Sequence, residues 1–210
     1  MRIVPAILSD NLDDFKNMID ISKGFTDFVQ IDLMDGIFVP SKSISRDDLE
    51  GLKTPLDMEA HLMVEKPDEY IAAMKSIGAK RIIFHFEADP DPAKVISEIK
   101  KVNVEAGLAV NPGTSIGEFE SLVPQVYSVL FLSVNPGFYG SPFIPDVLDE
   151  IRRFRAQHPS IVIGIDGGIS LDNIKDVKET GVNYACVGSR ILMQPDPQAS
   201  YKDFLRKIDG

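Results

Sequence analysis

The chain alternates short apolar runs with longer amphipathic segments from one end to the other. Continuous apolar runs of this length predict strands buried in a sheet. We place them at 3–8, 28–33, 56–62, 81–85, 105–110, 128–133, 161–166 and 184–187. The segments between them repeat apolar residues at helical spacing, which is typical of helices packed on a sheet.

Polar residues, prolines and glycines mark the expected helix ends. Asn11 precedes the first helical segment, and Asp91 with Pro92 precedes another. Proline near a helix start and glycine after its end are the usual signals, and Gly78 and Gly181 follow helical segments in this way. The second βα unit is the weakest, because 43–52 predicts a short helix at best.

Eight βα units within 210 residues predict an α/β protein with a (β/α)8 TIM barrel, formed by a single domain that spans 1–210. An open doubly wound sheet would show the same alternation and remains the alternative. The chain contains no low-complexity segment or charge run that would indicate a linker.

Composition narrows the class of partner. A net charge of −10 and a pI near 4.8 argue against general binding to nucleic acid or to a membrane surface, but not against a small anion. Cys186 stands alone, which excludes an internal disulfide and is typical of a small buried side chain. With no visible signal peptide and no apolar run near the roughly 20 residues of a membrane helix, we expect a cytoplasmic protein.

Candidate catalytic residues follow from the barrel, whose active sites lie at the carboxyl ends of the strands. Asp32 and Asp166 end the second and seventh strands. Two carboxylates around one substrate suit an enzyme that removes a proton from one face of a carbon and returns one to the other. Either could instead be a hydrogen-bonded structural residue. His61 is equally a functional group or a satisfied core histidine, and His85 is more typical of structure.

Glycine-rich turns at the same ends predict an anion site. They comprise 137–140, Gly167 with Gly168, and Gly188 with Ser189. Backbone N–H groups in such turns, together with the start of the next helix, bind anions. In barrels a substrate phosphate commonly lies after strands seven and eight.

Several segments resemble the ribulose-phosphate 3-epimerase family, in order and over nearly the whole chain. They are residues 5–9 (PAILS), 30–40 (QIDLMDGIFVP), 61–64 (HLMV), 84–88 (FHFEA), 107–114 (GLAVNPGT), 133–140 (SVNPGFYG), 166–169 (DGGI) and 187–189 (VGS). The resemblance implies a (β/α)8 barrel that interconverts ribulose 5-phosphate and xylulose 5-phosphate with a divalent metal. It also implies a homo-oligomer.

The resemblance assigns roles to individual residues. Asp32 and Asp166 are implied as the acid and base at C3, acting through a cis-enediolate, and also as metal ligands together with His61. The implied metal is zinc, iron, manganese, cobalt or magnesium. The implied substrate-binding residues are Ser9, Met34, His61, Met63, Gly137, Phe138, Tyr139, Gly140, Gly167, Gly168, Gly188 and Ser189.

One departure from the family affects the metal. Gln30 stands where the family has a ligating histidine. An amide oxygen can bind a hard cation but is a weaker donor than imidazole for zinc or iron. A metal held here is therefore expected to be weakened, or absent if Gln30 does not ligate. Further departures lie near the substrate, at Ala6, Ile37, Ser41, Leu132 and Tyr139.

These departures leave other functions open. The substrate can be a hexulose 6-phosphate, or the enzyme can be a metal-independent epimerase or a lyase on another phosphosugar. Related decarboxylases and aldolases pair aspartate with lysine at the end of the second strand, and 30–40 contains no lysine. A non-catalytic phosphosugar-binding protein is the third possibility, although such a protein has no need to bury both Asp32 and Asp166.

Overall fold

The strands join edge to edge into a closed parallel barrel. The computed structural model describes residues 1–137 and 141–210. In chain order the strands are β1 (Arg2–Ile7), β2 (Phe28–Met34), β3 (Asp57–Met63), β4 (Arg81–His85), β5 (Glu105–Val110), β6 (Ser128–Leu132), β7 (Val162–Asp166) and β8 (Tyr184–Val187). β1 pairs with both β2 and β8, so the sheet has no free edge. The predicted barrel is confirmed, and the open-sheet alternative is wrong.

Helices connect the strands on the outside of the barrel. Among the described residues they are α1 (Leu12–Ser22), α2 (Ile71–Ser76), α3 (Pro92–Lys101), α4 (Ile116–Phe119), α5 (Val147–Gln157), α6 (Ile174–Glu179), α7 (Ser189–Leu192) and α8 (Pro197–Asp209). The weak segment 43–52 contains a 3-10 helix, Asp47–Leu49. No helix in these parts of the chain is both long and apolar enough to cross a membrane.

Local chemistry sets the helix boundaries much as the sequence predicts. The Asn11 side chain accepts hydrogen bonds from the N–H groups of Asp13 and Asp14, which caps α1. Asp91 caps α3 in the same way, with Pro92 in its first turn. These two helices therefore start where a side-chain oxygen can satisfy free backbone donors.

Apolar side chains pack on both the outer and the inner face of the barrel sheet. The larger layer packs helices against the outer faces of the strands, and a smaller cluster fills the interior near Leu130 and Tyr184. Buried polar side chains also lie in the barrel interior. Glu59 is fully buried, and its carboxylate accepts a 2.8 Å hydrogen bond from Arg81. The barrel interior is thus held partly by a buried ion pair.

Register between β2 and β3 positions the candidate site. Asp32 lies opposite His61, and Met34 lies opposite Met63. Since side chains two residues apart share a face, Asp32 and Met34 point to the same side as their partners on β3. Both pairs therefore reach the interior at the carboxyl end of the barrel, where all four residues are buried.

Gly164 on β7 leaves room for the Tyr184 ring, and we expect Gly164→Ala to destabilise the protein by about 1–3 kcal/mol. A Cβ there would overlap that ring and lie 2.7 Å from Leu130 Cδ1. Gly117→Ala, where a Cβ would meet open space, is the control and should leave stability unchanged or slightly raised. Urea unfolding measures both, and equal midpoints would contradict the packing argument.

Candidate active site

A cavity of about 380 Å³ opens at the carboxyl ends of the strands. The described residues that line it include most of the predicted site. These are Asp32, Met34, His61, Met63, Gly137, Asp166, Gly167, Gly168, Gly188 and Ser189. The cavity has the size and mixed polar and apolar lining of a small-molecule site.

The two acids meet at the bottom of this cavity. Gln30 Nε2 donates hydrogen bonds to Asp32 Oδ1 at 2.9 Å and to Asp166 Oδ2 at 2.7 Å. His61 Nδ1 lies 3.1 Å from the same Asp32 oxygen and 3.4 Å from the same Asp166 oxygen. One amide and one imidazole therefore hold the two carboxylates together, although these come from β2 and β7.

Burial and neighbouring charges shift the pKa values of Asp32 and His61. Burial raises the pKa of Asp32, a hydrogen bond from His61 opposes this, and the charge of Asp166 raises it further. Burial alone lowers the pKa of His61, but hydrogen bonds and charges from Asp166 and Asp32 outweigh it and bring that pKa to about 9. At neutral pH His61 therefore carries a proton between the two acids.

Asp32, His61 and Asp166 can also hold a metal ion. One ligand atom from each lies within 4.8 Å of the others. Two carboxylates and an imidazole are a donor set that divalent metals accept, so these residues fit such an ion. The set supplies three ligands, and further positions would stay open for water or substrate.

Gln30 turns its amide nitrogen, not its oxygen, toward these groups. Its Oε1 accepts a hydrogen bond from the buried Cys186 thiol, with a sulfur–oxygen distance of 3.0 Å. To ligate a metal through oxygen, as the sequence suggests, the amide would have to rotate by half a turn. In the observed orientation Gln30 instead cross-links the two acids.

This orientation predicts a gain of metal affinity in Gln30→His. An imidazole restores a nitrogen donor beside the three ligands, so we expect Co²⁺ to bind roughly tenfold or more tightly. Chelator competition, followed by the visible absorption of Co²⁺, measures the dissociation constant. Gln125→His adds an imidazole on the exposed surface and should change nothing; equal affinities in the two variants would contradict the placement of Gln30.

Glycine turns at Gly167–Gly168 and at Gly188 form the part of the cavity wall that we call the glycine end. Gly167 and Gly168 both adopt positive φ, at 108° and 64°. A Cβ at Gly167 would lie 2.5 Å from Val134 Cγ2, and one at Gly168 would lie 3.0 Å from Phe143. Backbone conformation and close packing thus both require glycine here. Gly188 and Ser189 line the same end beside the start of α7.

Four predicted binding residues lie elsewhere or outside the described residues. Ser9 does not line the cavity, and its hydroxyl donates a 2.9 Å hydrogen bond to the Asn11 carbonyl. Phe138, Tyr139 and Gly140 fall outside the described residues. The part of the predicted phosphate loop that the structure describes is therefore Gly137, which lines the cavity.

Some residues near the acids were missed or underrated from the sequence. His85, considered structural, lies with its Nε2 3.0 Å from His61 Nε2. Cys186, expected to be an inert apolar residue, orients Gln30. Arg190, at the carboxyl end of the eighth strand, lines the cavity although no role was predicted for it. A usable signal existed for His85, because it ends β4 on the same rim as the other site residues.

Comparisons with known proteins identify the family of this chain. The sequence model of the Ribulose-phosphate 3 epimerase family matches residues 2–192. The ribulose-phosphate 3-epimerase of Mycobacterium leprae is 34% identical, over 98% of this chain and 94% of that protein. That of Bacillus subtilis is 35% identical, over 93% of this chain and 94% of that protein.

Structural similarity extends more widely. The crystal structure of KGPDC from Streptococcus mutans in complex with D-R5P aligns with a TM-score of 0.74 at 12% identity, covering 99% of this chain and 96% of that one. At this identity the likeness concerns the fold. The match of the family model over most of the sequence, together with relatives about one-third identical along almost their full length, shows that this chain belongs to the ribulose-phosphate 3-epimerase family.

Proposed function

We propose that the protein interconverts ribulose 5-phosphate and xylulose 5-phosphate by moving a proton at C3. The observation that carries this proposal is the pair of carboxylates, Asp32 and Asp166, that share Gln30 and His61 at the bottom of one cavity. A protein that merely bound the sugar would gain nothing from placing two acids so close together.

The two acids divide the proton transfer. One carboxylate removes the C3 proton, and the electron pair of that bond moves toward the C2 carbonyl to give a cis-enediolate. The other acid, holding a proton, returns it to C3 on the opposite face. Burial raises the pKa of Asp32, which favours the protonated form that the proton-returning acid needs.

His61 and Gln30 support this transfer from beneath the substrate. The Gln30 amide keeps both acids in place, and the His61 proton offsets their combined negative charge. A divalent ion bound by Asp32, His61 and Asp166 would stabilise the charge that develops on the sugar oxygens. We propose that any such ion is held more weakly than a site with four ligands would hold it.

The phosphate group of the sugar occupies the glycine end of the cavity in this proposal. Gly167, Gly168, Gly188 and Ser189 line that end, and backbone N–H groups in turns of this type bind anions without a cationic side chain. In this proposal C3 of the bound sugar lies beside the acids at the bottom of the cavity. From the family resemblance we also propose a homo-oligomer, which sedimentation of the purified protein tests.

Proton exchange tests the proposed function directly. The purified protein is incubated in D₂O with ribulose 5-phosphate, and NMR follows deuterium at C3 and the appearance of xylulose 5-phosphate. We expect both signals, and unphosphorylated ribulose should react far more slowly. Reaction with a hexulose 6-phosphate alone would mean that this sugar, and not ribulose 5-phosphate, is the substrate. Cleavage of a carbon–carbon bond would indicate a lyase. Binding without exchange would overturn the enzymatic proposal.

A further inference from the structure

Two histidines lie in direct contact beneath the cavity. The rings of His61 and His85 stack with centroids 5.1 Å apart, and their Nε2 atoms are 3.0 Å apart. Both side chains are fully buried. Because two ring nitrogens at this distance need one proton between them, one histidine donates and the other accepts. Which one donates determines what His61 presents to the acids.

Glu87 determines which ring nitrogen of His85 carries the proton. Its Oε1 accepts hydrogen bonds from the Thr114 hydroxyl at 2.6 Å and from the Asn111 N–H at 3.0 Å. Its Oε2 lies 3.4 Å from His85 Nδ1. A carboxylate with these partners is an acceptor, so His85 Nδ1 carries the proton on that side.

The proton on His85 Nδ1 determines which Nε2 atom, that of His85 or that of His61, carries a proton. With its Nδ1 proton directed at Glu87, neutral His85 has a free lone pair at Nε2. His61 Nε2–H therefore donates to His85. This leaves His61 Nδ1 as the nitrogen that faces Asp32 and Asp166, at 3.1 and 3.4 Å.

We propose that Glu87 and His85 are positioning residues that form a carboxylate–imidazole–imidazole relay, which holds His61 with Nε2 protonated and Nδ1 directed at the two acids. Neither residue lines the cavity itself, so both act through His61. In this state Nδ1 is available either to a proton shared with the acids or to a cation between them. The reversed relay would fix a proton on Nδ1 of neutral His61 and would exclude a cation from that nitrogen.

Glu87→Gln is the variant that reverses the relay with almost no change of shape. The two donors at Oε1 require an oxygen there, so the new amide keeps its oxygen toward Thr114 and Asn111. Its NH₂ group then faces His85 Nδ1, which must become an acceptor. His85 shifts its proton to Nε2, and His61 Nε2 loses its acceptor.

Nitrogen-15 NMR of histidine-labelled protein reads this shift directly. The chain has three histidines, and assignment by His85→Gln and His158→Gln variants identifies each ring. We expect His85 protonated at Nδ1 in the wild type and at Nε2 in Glu87→Gln. Thr114→Val removes one hydrogen bond to Glu87 but keeps its carboxylate, so it should leave His85 protonated at Nδ1. A wild-type His85 protonated at Nε2 would overturn the relay.

Zinc binding supplies a second readout that does not depend on turnover. Losing a partner of a ligating histidine typically weakens metal affinity by roughly 10–100-fold, and we expect a loss of this size in Glu87→Gln and not in Thr114→Val. Equal zinc affinity in all three proteins would overturn the role of the relay. The relay rests on the proposed function, because it concerns the same site. The two proposals fail separately. Absence of C3 exchange in the wild type would reject the function, whereas the NMR result decides the relay.

Discussion

Replacing Asp166 by asparagine should reduce the rate of C3 exchange by roughly 10³-fold, because general acid–base catalysis contributes about 10²–10⁴. Asp32→Asn should have a loss of similar size. An amide keeps the shape of each side chain but cannot take or hold the transferred proton. The KM for ribulose 5-phosphate should change little, since the phosphate end of the cavity is untouched.

The measurement is deuterium uptake at C3 of ribulose 5-phosphate, with turnover and KM determined on the same preparations. Asp172→Asn changes an exposed aspartate near the same rim and serves as the matched control. Turnover within a few-fold of wild type in either active-site variant would reject the two-carboxylate scheme. Loss of turnover accompanied by a large rise in KM would instead assign that aspartate to binding.

Replacing Arg81 by methionine should destabilise the protein by about 3–5 kcal/mol at pH 8, because it leaves a buried charge unpaired. Arg81 Nη1 donates to Glu59 at 2.8 Å, and Glu59 is fully buried inside the barrel. The Arg81 guanidinium also lies over the ring of Tyr127, 4.3 Å from its centroid. Urea unfolding at fixed pH measures the loss.

The pH dependence of this loss follows from Glu59. Burial raises the pKa of Glu59, the Arg81 charge opposes this, and the result is about 7 against an ordinary value of 4.5. The folded state therefore holds a proton that the unfolded state has released between these values. The contribution of Glu59 to the free energy of unfolding is therefore complete below pH 4.5. It is lost as pH rises through 7, and the total loss is about 3 kcal/mol.

Two variants separate this effect from the rest of the protein. Glu59→Gln should flatten the decline in stability between pH 5 and 8, and the loss in Arg81→Met should be smaller at pH 5 than at pH 8. Arg152→Met, which breaks an exposed ion pair with Asp149, should cost below about 1 kcal/mol at either pH. A loss in Arg81→Met that does not change with pH would mean that packing, not the buried charge, dominates.

The barrel was predictable because hydrophobic pattern and turn signals agree along the chain. Each predicted strand lies within one or two residues of its observed bounds. The segment 43–52, where the pattern is weakest, is also where the structure has a single 3-10 turn. Closure of the sheet was the step that periodicity alone could not decide, because it depends on the pairing of β1 with β8.

The candidate site was predictable as far as strand ends reveal it. Asp32 and His61 lie two residues before the ends of β2 and β3, and Asp166 ends β7. The structure brings the three side chains into contact around His61. The orientations of the Gln30 and His85 side chains were not predictable. That Gln30 presents nitrogen to the acids depends on Cys186, a residue more than 150 positions away in sequence whose side chain reaches it across the barrel. The direction of His85 depends similarly on Glu87 and its partners.

The order of the strands has a consequence for fragments of this chain. β1 to β4 supply Asp32 and His61, whereas β5 to β8 supply Asp166 and the glycine turns. Neither half contains a complete acid pair, and each half exposes strand edges that the other covers. The two halves can be produced separately and mixed. Recovery of C3 exchange would then show that they have reassembled into the whole barrel, so catalytic activity measures the association of the two fragments.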